Sequence, residues 1–133
     1  MAELTGIKKL EKGRAEFAYR CAKEGIEIKE YRSYARKIPT MILTNGLGQT
    51  LAFIRSKGKK EEAYKRLYEQ ITNYLKSENT TRIRMPDSEN DLMRWVVSQD
   101  SLQYRYITQE VIAFLNWLKR FAEGMPVKEE KSD

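Results

Sequence analysis

The chain has 133 residues, of which 41% are apolar and 33% charged, a balance typical of one folded globular domain. It contains no histidine and one cysteine, which excludes Ser-His-Asp and Cys-His triads, His/Cys zinc sites and an intrachain disulfide. The sequence has neither a membrane-spanning apolar run nor the apolar core of a secretory signal. The missing segments point to the cytoplasm and to no membrane contact, and without histidine a metal could be held only by carboxylates. We assign no catalytic residue, no metal site and no cofactor.

The positive charge is concentrated in the first part of the chain. The net charge is +6, and residues 1–60 hold 14 basic against 6 acidic side chains, whereas residues 61–133 hold 11 against 13. A basic excess of this kind is the electrostatic signature of a polyanionic partner. It also fits the solvated surface of an ordinary basic protein, and charge alone leaves both interpretations open.

The first predicted helix runs from about Glu3 to Lys23 and ends at Gly25. Arg14 falls on its apolar face, where it could extend its charged head to water, pair with a carboxylate or meet a partner subunit. The apolar positions that mark this face are Ile7, Leu10, Phe17 and Cys21.

The second and third predicted helices flank a proline and two glycines. The second covers about Ile28 to Lys37, and Pro39 suits the first position of the third, where its missing N–H is not needed. Asn45-Gly46 predicts a helix stop because both residues tolerate positive φ. A new helix then starts at once and continues to about Ser56, since apolar residues recur at Leu47, Leu51 and Ile54.

The remaining sequence predicts three further helices and a polar loop. Helix four covers about Lys60 to Lys76 with its apolar stripe at Tyr64, Leu67, Ile71 and Tyr74, and a loop follows from Ser77 to Asp87. Ser88 is the predicted N-cap of a short helix from about Glu89 to Ser98, and Asp100 caps helix six. The stripe of helix six is Tyr104, Ile107, Val111, Phe114, Leu118 and Phe121, and Gly124 and Pro126 end it. The fold class is therefore all-α: a single compact domain of about six helices over residues 1–124, followed by a disordered tail over residues 125–133.

Two sequence blocks carry a resemblance to a known family. The first is Pro39-x-Met41-Ile42-x-x-Asn45-Gly46-Leu47-x-x-x-Leu51-Ala52-Phe53-x-x-x-Lys57. The second is Glu110-x-x-x-Phe114-Leu115-x-Trp117-Leu118-Lys119-Arg120-Phe121-Ala122-Glu123. Their order and spacing resemble the small helical subunit, the fifth Cmr subunit, of the type III-B CRISPR (Cmr) RNA-guided effector complex. The resemblance spans about Ala15 to Gly124, with no family-specific match between Ser77 and Asp100.

The resemblance implies a non-catalytic structural subunit in antiviral defence. Such subunits stack along the body of the complex, contact the backbone-forming subunit and copies of themselves, and lie beside the guide RNA–target RNA duplex. A basic face would neutralise target RNA phosphates without reading bases. The RNA-binding residues expected from the two blocks are Lys37, Arg55, Lys57, Lys119 and Arg120, with Lys59 and Lys60 as weaker candidates.

Two alternatives come from other classes of protein. A helix-turn-helix DNA-binding regulator would use the Asn45-Gly46 turn, although its second helix then opens with mainly apolar residues. A carboxylate-metal nuclease would use Asp87, Glu89 and Asp91, although these charges also suit the start of a helix.

The eight tyrosines raise the question of base stacking. Tyr64, Tyr74 and Tyr104 fall on apolar stripes, which favours core packing with a hydroxyl in water. If a tyrosine stacks on nucleic acid, it is expected among those off the main stripes: Tyr19, Tyr34, Tyr68 and Tyr106. Trp95 and Trp117 are expected to anchor the core or an interface.

Overall fold

The computed structural model describes residues 2–127, with side chains from residue 9 onward. Over that range it contains helices and no strand, which confirms the all-α prediction. No helix among these residues is both long and apolar enough to cross a membrane. The predicted disordered tail falls mainly on residues 128–133, which lie outside the described residues, so it stays a prediction. The helices are α1 (Ala2–Gly25), α2 (Tyr31–Asn45), α3 (Leu47–Lys57), α4 (Glu62–Lys76), α5 (Leu92–Val97) and α6 (Ser101–Gly124).

Helix α6 lies at the centre of the fold and packs against α1, α2, α4 and α5. Its predicted stripe is confirmed, with the four middle residues fully buried and the two terminal aromatics, Tyr104 and Phe121, half-buried. The predicted stripe of α4 is also buried along its whole length. Each fully buried aliphatic or phenylalanine side chain of these stripes stabilises the fold by roughly 1.5–3 kcal/mol relative to leaving it in water.

Helix α1 meets the rest of the molecule through small residues. Its buried face is formed by Ala18, Cys21 and Ala22, and it ends at Gly25 as predicted. A Cβ at Gly25 would lie 2.2 Å from the ring of Tyr31, so only glycine lets that ring approach. The prediction that Leu10 is part of the buried face is wrong, since 41% of its surface is exposed. The apolar stripe is broken one turn later at Arg14, and Ile7 lies outside the residues whose side chains are described.

The prediction of a helix boundary at Pro39 is also wrong. One helix, α2, runs through Pro39, and the second predicted helix and the start of the third are therefore one element. A proline inside a helix costs about 3 kcal/mol because a backbone hydrogen bond is lost. Burial offsets that cost, since Tyr31, Ala35, Ile38 and Ile42 form one continuous buried stripe on both sides of the proline.

The glycine turn between α2 and α3 is confirmed. Gly46 has φ 88°, a conformation that favours glycine, and its N–H donates to the carbonyl of Ile42 over 2.8 Å. Leu47, Leu51 and Ile54 are fully buried, as the spacing predicts. A single residue, Gly46, therefore separates α2 from α3, and α3 packs on α2, α4 and α5.

The two C-terminal helices begin at aspartate caps. Asp91 accepts a hydrogen bond from the backbone N–H of Arg94 over 3.2 Å, so α5 is capped by Asp91 and the prediction of Ser88 is wrong. Asp91 directly precedes Leu92, three residues nearer to the helix than Ser88, and its carboxylate sets the start of this short helix. The predicted cap of α6 is confirmed, since Asp100 accepts from the N–H of Gln103 over 2.8 Å.

Candidate nucleic-acid interface

Three aromatic rings from α2, α3 and α4 meet at the surface and form what we call the ring cluster: Tyr34, Phe53 and Tyr64. The rings of Tyr34 and Tyr64 are stacked, with centroids 3.9 Å apart and planes at 6°. Phe53 meets Tyr64 edge to face, with centroids 5.7 Å apart. Tyr64 is buried and Phe53 is 38% exposed, so the cluster runs from the core to solvent.

Two of the predicted RNA-binding lysines border this cluster. The Lys37 ammonium lies 5.5 Å from the centroid of the Tyr34 ring, and the Lys57 ammonium lies 5.7 Å from the centroid of Phe53. Both lysines are exposed, and each is three or four residues from its ring along a helix, which is the spacing that brings side chains together. The structure thus brings Lys37 and Lys57 to one aromatic surface.

The hydroxyl of Tyr34 is fixed by Glu61, to which it donates a hydrogen bond. This bond, together with burial, raises the pKa of Tyr34 to about 12, so the phenol stays protonated at neutral pH. Burial also raises the pKa of Tyr64, with a smaller contribution from the Glu61 charge. The ring cluster therefore presents neutral rings beside two cations.

Arg55 lies in the last turn of α3 and is partly neutralised. Its guanidinium is 3.4 Å from a carboxylate oxygen of Asp91 and 5.7 Å from the centroid of the Tyr68 ring. Half of its side chain is exposed, so it can still present charge to a ligand. Lys59 and Lys60 are exposed in the turn between α3 and α4, which extends the basic surface beyond Lys57.

Lys119 and Arg120 lie elsewhere, on α6. Arg120 is exposed and lines a surface depression with Arg14 and Trp117, on the side where α6 packs against α1. Lys119 is half-buried. Of the seven predicted residues, five lie on α2, α3 and the α3–α4 turn, and these two lie on α6.

The carboxylates of the nuclease alternative are engaged by arginines. Asp87 contacts Arg84 over 3.1 Å, Glu89 contacts Arg94 over 2.7 Å, and Asp91 contacts Arg55 while it caps α5. The Arg94 hydrogen bond lowers the pKa of Glu89. Among the side chains of residues 9–127, no group of three or more carboxylates, cysteines or histidines is placed to hold a metal ion.

The start of α3 does not resemble a DNA-reading helix. Leu47 and Thr50 are buried, and the backbone N–H of Gly48 donates to the Tyr104 hydroxyl over 2.8 Å. A recognition helix needs polar side chains that reach base edges from its first turns. The exposed residues of these turns are Gln49, Ala52 and Phe53, which offer a single amide to base edges, and this disfavours the helix-turn-helix alternative.

A buried polar network, which sequence reasoning missed, joins α1, α4 and α6. Arg14 donates to the hydroxyl of Tyr74 over 2.9 Å and lies 3.5 Å from a carboxylate oxygen of Glu110. The Tyr74 hydroxyl donates to the same carboxylate over 2.9 Å, and the N–H of Thr81 donates to its other oxygen over 2.9 Å. Arg14 also pairs with Glu11 over 3.0 Å, so the carboxylate-pairing option for Arg14 is confirmed.

This network corrects one detail of the tyrosine prediction. The prediction that Tyr74 keeps its hydroxyl in water is wrong, because the whole side chain is buried and its hydroxyl is bonded to protein groups. Burial raises the pKa of Tyr74. Two features of the sequence hint at the network: Arg14 falls on an apolar face of α1, and Glu110 falls on the buried side of α6. Helix periodicity could not predict that these two side chains meet, because they are 96 positions apart.

The comparisons with known proteins point to one class, the CRISPR-associated proteins. A model of the family described as CRISPR-associated protein (Cas_Cmr5) matches residues 10–125. A Thermus thermophilus protein named CRISPR system Cmr subunit Cmr5 is 35% identical over 96 residues, which cover 72% of this chain and 75% of that protein. The crystal structure of a Cmr5 family protein from the same organism matches with a TM-score of 0.65 and 30% identity, over 86% of this chain and 95% of that one.

The chain therefore belongs to the Cmr5 family of CRISPR-associated proteins. The match includes residues 77–100, where the sequence blocks carry no family-specific pattern. The predicted family and fold class are thus confirmed together.

Proposed function

We propose that the chain is a non-catalytic structural subunit of a type III-B Cmr complex, and that it contacts RNA phosphates through the face of α2, α3 and the α3–α4 turn. Family membership supports the place in a Cmr complex, because a curated member of this family is named a Cmr subunit. The observation that carries the RNA contact is the pair Lys37 and Lys57, exposed on either side of the ring cluster.

The chemistry of this face suits a phosphate backbone. Lysine ammonium groups bind phosphates as point charges, and Arg55, Lys59 and Lys60 add exposed positive charge on α3 and the α3–α4 turn. Contacts to phosphate oxygens position a protein on RNA but carry no base information. The contact would then be independent of target sequence and sensitive to salt.

A second surface suits contact with other proteins. Leu43, Val97 and Leu102 are large apolar residues that are 49–74% exposed. Leu43 and Val97 flank the glycine turn, since Leu43 precedes Gly46 by three residues and a Cβ at Gly48 would lie 3.6 Å from Val97. Exposed apolar side chains grouped in this way are typical of interaction surfaces. This end of the molecule is where we place a neighbouring copy or the backbone-forming subunit.

The RNA contact is tested by charge reversal in the reconstituted complex. Lys37→Glu and Lys57→Glu should each weaken target RNA binding about equally for unrelated target sequences. Each should also lower the salt slope by roughly 0.7 for every single-strand phosphate that the variant no longer binds. Lys12→Glu is the matched control, because Lys12 is exposed on α1 and the change in net charge is the same. If all three variants bind alike at every salt concentration, the α2–α3 face does not contact RNA.

Lys119 and Arg120 are tested separately. Lys119→Glu in the same assay asks whether α6 provides a second contact, since Lys119 lies on a different helix from Lys57. An effect of Lys119→Glu equal to that of Lys57→Glu extends the RNA path to α6. No effect of Lys119→Glu restricts the path to α2, α3 and the α3–α4 turn.

A further inference from the structure

Tyr34 is the outer member of a two-ring stack. Tyr64 is 4% exposed and covers one face of Tyr34 at a centroid distance of 3.9 Å. Because that face is filled, the Lys37 ammonium, 5.5 Å from the Tyr34 centroid, lies over the opposite face. The outer face of Tyr34 is thus turned away from the core, toward an exposed lysine.

The ring is held in this orientation before any ligand arrives. Tyr64 supports one face, and the hydrogen bond from the Tyr34 hydroxyl to Glu61 fixes rotation of the ring within its plane. A planar ligand would therefore meet a surface that is already ordered, which reduces the entropy lost on binding.

We propose that an unpaired RNA base stacks on the outer face of Tyr34 and extends the Tyr64–Tyr34 stack by one ring. Lys37 then leaves the ring face and binds a phosphate of the same strand. Stacking of a base on an aromatic side chain is worth more than an exposed cation–π contact, so the exchange is favourable, and the displaced ammonium gains a charged partner. This inference rests on the proposed function, which brings RNA to this face, and adds that single-stranded bases are bound there.

The other off-stripe tyrosines are less suited to this exchange. Tyr68 also carries a cation, Arg55, but that guanidinium is paired with Asp91. Arg82 lies 4.9 Å from the centroid of Tyr106 and donates to Gln109 over 3.2 Å. In the part of the chain that the structure describes, the Lys37 ammonium has the Tyr34 ring as its contact and no carboxylate within ion-pair distance.

The test is a double-mutant cycle between the ring and the base. Fluorescence anisotropy at low salt would measure binding of the full chain to labelled octauridylate and to an abasic ribose-phosphate octamer. Wild-type protein should prefer octauridylate by at least about fivefold. Tyr34→Phe keeps the ring and should keep the preference, whereas Tyr34→Leu should lose it. Equal preference in wild type and Tyr34→Leu overturns the stacking site.

The outcomes separate this proposal from the proposed function. If Lys57→Glu weakens binding of both octamers equally and Tyr34→Leu changes no preference, the phosphate contact stands and the stacking site is wrong. If neither octamer binds the wild-type chain, the stacking site is wrong, and the charge-reversal assay in the reconstituted complex decides the phosphate contact. Should Tyr34→Leu not fold, a single 2-aminopurine in the octamer gives a second readout. Its fluorescence should fall on saturation with wild type and Tyr34→Phe, and unchanged fluorescence overturns the proposal.

Discussion

Glu110 should be a main determinant of stability although it lies in a family block that invites a functional explanation. Its side chain is 5% exposed and accepts from Tyr74, Thr81 and Arg14, so it ties α1, α4 and the loop after α4 to α6. Glu110→Gln keeps the size of the side chain but removes the charge and turns an NH₂ group toward these donors.

The expected loss follows from the burial of both partners. Removing one member of a buried ion pair typically costs about 3–5 kcal/mol, because the other charge remains buried. Arg14 is 11% exposed at its side chain but keeps Glu11 as a partner, which places the expected loss near the lower limit, about 3 kcal/mol. With a urea m-value of about 2 kcal/mol/M, the unfolding midpoint should fall by about 1.5 M.

Urea unfolding followed by far-UV circular dichroism measures this loss directly. Glu69→Gln is the matched control, because Glu69 pairs with Arg66 at 3.7 Å on the surface of α4 and is 51% exposed. Exposed pairs contribute about 0–1 kcal/mol, so this variant should unfold nearly as wild type does. If Glu110→Gln is as stable as Glu69→Gln, the buried network does not hold the three helices together.

Two further predictions concern α1. Gly25→Ala should lower the melting temperature by several degrees, since its Cβ would overlap the Tyr31 ring. Gly124→Ala is the control, because a Cβ there would have nothing within 4 Å, and it should leave the melting temperature unchanged or raise it. Equal melting temperatures for the two variants would contradict the close approach of Gly25 and Tyr31. Burial raises the pKa of the Cys21 thiol to about 12, so the native thiol should react with Ellman's reagent at pH 8 only on unfolding. Because the pKa of Cys21 is higher in the folded than in the unfolded chain, the protonated thiol contributes fully to the free energy of unfolding below the unfolded pKa, near 9. That contribution is lost as the pH rises from about 9 to about 12. Cys21→Ala should therefore flatten the alkaline fall in stability, and an identical fall in both proteins would refute this.

The sequence predicted the helices wherever periodicity, caps and glycines agreed. The stripes of α4 and α6, the Asp100 cap and the turn at Gly46 are all local signals, and the structure contains each of them. The boundary predicted at Pro39 was wrong because helix propensity is a local preference, whereas the burial of α2 on both sides of the proline is a tertiary effect.

The candidate site was harder to predict because it depends on distant residues meeting. Lys37 and Lys57 could be named from the family block and their charge, but the rings between them come from three helices. Tyr34 could be recognised only as a ring outside the apolar stripe, since its stacking partner Tyr64 lies 30 residues away. The family blocks group Lys119 with these lysines, although Lys119 lies on a different helix, α6.

The most direct test of the account is ultraviolet crosslinking of the affinity-purified native complex, with mass spectrometry of RNA-bearing peptides. The tagged chain should recover other Cmr subunits together with short guide RNAs. Its RNA crosslinks should fall in α2 and in residues 47–60, close to Lys37 and Lys57. Recovery of the chain alone or with duplex DNA would contradict its place in a Cmr complex. Crosslinks confined to α1 and α6 would contradict the proposed RNA-binding face.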